Sequence, residues 1–133
     1  MTDHASSMIR RRSAAALAVA LAIGGLPLAA LAHHGWGGYG QEEFTLAGKV
    51  ESATLGNPHG LVKVRADDGG GVWDVVLGPP SNQRRAGLTE AELPAGAAVT
   101  AYGHRHNDPA RLEMKTERLR VGERMFDIYP GRS

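Results

Sequence analysis

The chain has 133 residues with 15 Lys plus Arg, 14 Asp plus Glu, 6 His and no Cys, which is the length of one ordinary domain. Without cysteine, a disulfide scaffold and thiolate chemistry are both excluded. Glycine is frequent at 18 residues and aromatics are only 5%, so a small, loop-rich and thinly packed domain is expected.

Residues 1–32 read as a cleaved signal peptide. Arg10, Arg11 and Arg12 end a basic segment, Ser13 to Ala32 carries no charge, and Ala30-Leu31-Ala32 is a small-residue cleavage site. Gly24, Gly25 and Pro27 interrupt the apolar run, which favours cleavage over retention as an anchor, so no membrane span is expected after processing. The expected address is the periplasm, reached by the general secretory (Sec) route, with twin-arginine (Tat) export as the alternative raised by the arginine pair. Processing removes three arginines and one aspartate, leaving 12 basic and 13 acidic residues and a net charge of −1.

Cleavage after Ala32 makes His33 the new N-terminus. Its α-amine and its own imidazole Nδ1 can close a chelate ring on a metal ion, and His34 can add a second imidazole. The plainer reading is that both are solvent-facing polar residues. Residues 33–43 hold Gly35, Gly37, Gly38 and Gly40 around Trp36 and Tyr39 and are expected to form a flexible arm. The two rings are expected to dock on the chain's own body, because a free Trp and Tyr would be unexplained apolar surface.

The barrel domain is expected over residues 44–130. Phe44, Leu46, Gly48 and Val50 alternate with polar or small neighbours, as do Val62, Val64 and Ala66, which predicts two half-buried strands. Asp67 to Gly71 is a turn, and Val72 to Leu77 is a more apolar and therefore more central strand. Pro79-Pro80 stops it. Thr89 to Glu92 fits a capping box with Leu88 and Leu93 as its hydrophobic staple, so the one short helix is expected to start there and end at Pro94, with Ser81 as a cap for an earlier turn. A fourth strand runs from Ala98 to His106, with Thr100, Tyr102, His104 and His106 on one face. Leu112, Met114 and Thr116 open a fifth strand, but Leu119 and Val121 have the opposite parity, which predicts a bulge between Thr116 and Arg118. A hairpin through Gly122-Glu123 leads to a last strand ending near Tyr129. The fold class expected is mainly β, a five- or six-stranded OB-like Greek-key barrel with one short helix, and a β-sandwich is the alternative.

Two histidine-bearing loops carry the candidate chemistry: Asn57-Pro58-His59 after the first strand and His104-Arg105-His106-Asn107-Asp108 after the fourth. On the expectation that these loops share one end of the barrel, His59, His104 and His106 would converge, and three imidazoles suit zinc or copper with Asp108 as a fourth or supporting ligand. His33 and His34 are the other candidate ligands. The plainer reading is a solvated strand end and an ordinary Asn-Pro turn. Met114 is expected in the core and not as a copper ligand. The arginines from Arg111 to Arg124 are interleaved with Glu113, Glu117 and Glu123, which reads as a solvated charge surface. With a net charge of −1 and export, nucleic acid is not an expected partner. No nucleophile or general acid/base pair can be identified, so an enzyme is the less favoured reading.

Ala32-His33-His34-Gly35-Trp36, Phe44 to Val50, Asn57-Pro58-His59, the Trp73 strand, Arg85-Ala86-Gly87-Leu88 and Tyr102-Gly103-His104 together resemble a family of small exported bacterial proteins built on a domain of unknown function. The resemblance covers nearly all of the mature chain and implies a periplasmic small β-barrel, with no activity to carry over. The histidine start is also similar to copper chaperones and copper oxygenases that use a histidine brace, a likeness one residue deep. The functional expectation is a periplasmic barrel binding copper or zinc through His33, His34, His59, His104 and His106. The alternative is a metal-free OB-like module that binds an envelope protein, glycan or small ligand through Trp36, Asn57, Tyr102, Arg105 and Asp108.

Overall fold

The computed structural model describes residues 35–132, so the expected signal peptide and His33 and His34 lie outside the described residues. Six strands follow one another: β1 Phe44–Thr54, β2 Leu61–Ala66, β3 Val72–Val76, β4 Ala98–Arg105, β5 Glu113–Val121 and β6 Arg124–Asp127. Helix α1, Pro80–Ala86, and a 3-10 turn, Glu90–Glu92, connect β3 to β4. β1 pairs antiparallel with β2 and with β4, β2 pairs with β3, and β4 pairs with β5. Parallel pairing of β3 with β5, Asp74 beside Glu113 and Val76 beside Lys115, closes a five-stranded mixed barrel, and β6 adds a sixth strand at the outer side of β5. This is an OB-like barrel, not a sandwich.

The alternation in the sequence sets which side chains face inward. In β1, Leu46, Gly48 and Val50 are buried while Thr45, Ala47 and Lys49 are exposed. Val62, Val64, Val75, Leu77, Met114, Leu119, Phe126 and Ile128 form the centre of the core, each contributing roughly 1.5–3 kcal/mol on burial. Met114 is thus a core residue, whereas Leu112 is exposed. Two inward glycines mark close backbone approach: a Cβ at Gly48 would strike the Arg65 carbonyl, and one at Gly103 would strike the Lys115 carbonyl.

The bulge lies where the parity change places it. Tyr102 pairs with Arg118 and Gly103 with Thr116, so Glu117 is the extra residue on β5. Its consequence departs from the expected solvated charge surface. Thr116 and Glu117 are both buried, with Glu117 only 2% exposed, because the bulge turns the next side chain inward as well.

The helix lies earlier than expected. Proline fits the first helical position, since its fixed φ is already helical and its missing N–H is not needed there. Pro80 therefore starts α1 behind Pro79, Ser81 lies inside the helix instead of capping it, and Gly87, at φ 76°, ends it in the left-handed region. The capping box at Thr89 and Glu92 is present, but it opens only the three-residue 3-10 turn. Leu88 and Leu93 are both buried beneath that turn.

Candidate functional site

The described part of the arm lies against the end of the barrel where β4 leaves and β5 begins. Tyr39 forms a β-bridge with His106, the Gly40 N–H donates to the Arg105 carbonyl at 2.9 Å, and the Asn107 N–H donates to the Gly38 carbonyl at 2.7 Å. These bonds bring Trp36 over the barrel end, edge-on to His104 at 5.6 Å, to Tyr129 at 5.1 Å and to Tyr39 at 6.5 Å. The arm's glycines allow this approach: Gly38, at φ 94°, adopts a conformation that side-chain-bearing residues rarely take.

Two cations lie among the rings. The Lys115 ammonium donates to the Gly35 carbonyl and is 4.9 Å from the Trp36 ring centroid, 5.9 Å from Tyr129 and 6.0 Å from Tyr39. The Arg132 guanidinium is 4.1 Å from the Trp36 centroid. Burial, with the Arg132 charge added, lowers the Lys115 ammonium below its ordinary range. Burial raises the Tyr129 phenol. It also raises Tyr39, helped by the Glu113 carboxylate that accepts from its hydroxyl. Arg111 pairs with the same Glu113.

His104 sits beneath this box with only 13% of its side chain exposed. Its Nε2 is 3.0 Å from Oε1 of the bulged Glu117, and Arg132 Nε donates to that same oxygen at 3.3 Å. The His104 Nδ1 is buried and has no partner among the described residues. His106 is differently placed. The Asp108 N–H donates to its Nδ1 at 3.0 Å, Arg111 Nη1 lies 3.0 Å from its Nε2, and Tyr39 packs on its ring at 5.4 Å. A neutral imidazole has one lone pair to offer and both neighbours are donors, so only one of them can be accepted; with Nδ1 taking the Asp108 N–H, His106 is tied into its own loop.

The expected convergence of His59 with this pair is corrected by the strand directions. β1 runs antiparallel to β4, so Phe44 lies beside Gly103 while Thr54 lies beside Leu61 of β2. The loop bearing His59 leaves the far end of β1, about 30 Å of strand away from His104. His59 is exposed there, as are Asn57 and Pro58, whose peptide bond is cis. Asp108 Oδ1 accepts from the Ala110 N–H at 3.0 Å and serves the turn. Tyr102 lies 5.0 Å beneath the Arg118 guanidinium. Among the described residues, no group of three or more His, Asp or Glu side chains is placed to hold a metal ion.

Glu117, Lys115 and Arg132 were not singled out from the sequence. The parity break at Glu117 was a signal for the first, but nothing local marks a lysine or a C-terminal arginine as the cation of an aromatic box.

A model of a family of unknown function, DUF6152, matches residues 21–132. No curated protein matches the chain. Two solved structures are similar to it: the crystal structure of TiaS in complex with an isoleucine tRNA and ATP, at 18% identity over 60% of this chain with a TM-score of 0.45, and that of the S. pombe Stn1-Ten1 complex, at 14% identity over 59% with a TM-score of 0.49. The chain spans 18% of the first and 57% of the second.

Proposed function

The chain belongs to the DUF6152 family, whose function is unknown, so its role has to come from its own residues: we infer that it is an exported periplasmic barrel that binds a transition-metal ion, copper or zinc, at the end where the arm lies. The observation that carries this reading is the His104 ring. Its Nε2 is held by the Glu117 carboxylate and its Nδ1 has no partner among the described residues, and carboxylate-to-imidazole pairing is the arrangement that orients metal-ligating histidines.

His33 and His34 stand directly before Gly35 in sequence, and Gly35 is held at this end by Lys115. With the α-amine freed by processing, the two histidines and His104 supply nitrogen donors of the type that copper and zinc prefer. His106 is engaged in its loop and His59 is at the other end of the barrel, so neither enters this ligand set. Lys115 and Arg132 oppose a dication by charge, so replacing Lys115 by Gln should tighten metal binding.

The test is native mass spectrometry and calorimetric titration with Cu(II) and with Zn(II), on untagged protein processed in the periplasm. One equivalent should bind. His104→Ala and the His33→Ala, His34→Ala pair should each weaken it by at least about tenfold, or about 1.4 kcal/mol, while His59→Ala leaves it unchanged. Absence of uptake above weak nonspecific levels, or loss confined to His59→Ala, would sink the reading and leave the metal-free module.

A further inference from the structure

Arg105 ends β4 with its guanidinium laid on an aromatic floor. Its carbon is 4.9 Å from the Trp73 ring centroid and 6.0 Å from that of Phe44, and those two rings are stacked at 4.9 Å with 27° between their planes. The rings come from β3 and β1, so the stack joins three strands across the barrel end. One N–H, on Nη2, donates to the Pro109 carbonyl at 3.2 Å. Arg105 and Arg118 are both half-buried, yet only Arg118 has a carboxylate partner, Glu43 at 2.7 Å. Among the described residues Arg105 has none. A guanidinium held over the Trp73 ring with donors to spare can take a carboxylate through two parallel hydrogen bonds.

Two open clefts, of about 520 and 540 Å³, meet at Phe44 and Arg105. Both volumes fall in the range of small-molecule sites, roughly 300–1,000 Å³. The larger is walled by Trp73 and the exposed Leu112 and reaches Asp67 and Asp68. Neither aspartate has a cation partner among the described residues, although Asp68 Oδ1 accepts from the Gly70 N–H. The smaller cleft is lined by Glu42 and Glu43. One unpaired cation at the centre and carboxylates on either side repel a polyanion and complement a zwitterion.

We propose that the larger cleft binds a small zwitterion, an amino acid or short peptide with an apolar side chain. Its carboxylate takes the Arg105 fork, its apolar group lies on Leu112 and the Trp73 wall, and its ammonium faces Asp67 and Asp68. The site shares no residue with the metal reading.

The probe is the dipeptide Lys-Leu, titrated with a chelator present into isotope-labelled processed protein, with the Arg105 Nε–H and Trp73 Nε1–H signals followed by NMR. Both signals should shift with a Kd of about 1 mM. The C-terminal amide of the dipeptide should bind at least about tenfold more weakly, and so should the free dipeptide to Arg105→Gln. Asp67→Asn with Asp68→Asn should weaken the free dipeptide but not its fully N-acetylated form. Equal binding of acid and amide, unchanged affinity in Arg105→Gln, or no shift of the two signals at millimolar dipeptide overturns the proposal. If Arg105→Gln does not fold, Arg105→Lys keeps the charge and removes the fork, and the same loss is expected.

Discussion

Replacing Glu117 by Ala tests whether the bulge carboxylate holds the barrel end together. The side chain is 2% exposed and accepts from His104 Nε2 at 3.0 Å and from Arg132 Nε at 3.3 Å. Its removal leaves neither ring nitrogen of His104 bonded to any of the described residues, in a site that is only 13% exposed. An orphaned buried donor costs about 1–3 kcal/mol. Arg132 is exposed and can rehydrate, so about 2 kcal/mol is expected for Glu117→Ala. About 1 kcal/mol is expected for Glu117→Gln, which keeps an acceptor in place. A domain of this size has roughly 5–15 kcal/mol in all, so the Ala variant should show a clearly lowered urea midpoint by circular dichroism with an unchanged slope. The double variant with His104→Ala should lose less than the sum of the two single losses, because both remove the same contact. A Glu117→Ala loss under about 1 kcal/mol, or full additivity with His104→Ala, would refute the reasoning.

Trp36→Ala removes the ring that meets His104, Tyr129, Lys115 and Arg132; it should cost about 2 kcal/mol and speed hydrogen exchange at the Gly40 and Asn107 amides while leaving those of β2 slow. Gly103→Ala should cost about 3 kcal/mol in the same urea assay, because its Cβ meets backbone that cannot swing aside. At alkaline pH the signs oppose each other. The lowered Lys115 adds stability as pH rises toward its ordinary 10.5, whereas the raised Tyr39 and Tyr129, protonated when folded but free to ionise when unfolded, lose stability as pH rises through 10.0. The two phenols dominate above pH 10.0, so thermal stability should fall there, and Tyr39→Phe should blunt the fall; an unchanged profile in Tyr39→Phe would show that the phenol is not the cause.

Much of the barrel was legible because half-buried strands show their inner face every second residue. Leu46 and Val50, Val62 and Val64, and Val99 and Ala101 all follow it, and even the bulge showed as a parity change between Thr116 and Leu119. The inward turn of Glu117 was not legible, since a glutamate among arginines normally signals solvent and only the bulge geometry reverses that. Pro79-Pro80 read as a strand stop, but the same pair starts α1, because a proline both ends pairing and begins a helix. The supposed meeting of His59 with His104 failed on direction. β1 lies antiparallel to both its neighbours, which sends the two loops to opposite ends. The stack of Phe44, Trp73 and Arg105 could not be read at all, being assembled from three strands by barrel closure.

Trp36 near one end of the described chain packs against Tyr129 and Arg132 near the other. Chain ends are ordinarily the first parts of a domain to fray, each independently. Here residues near both ends of the described part fasten one another, so a substitution that loosens Trp36 loosens Tyr129 and Arg132 as well. The same proximity makes the barrel a candidate for circular permutation, with residues 35 and 132 joined by a short linker and new termini opened in the exposed Asp67–Gly70 turn.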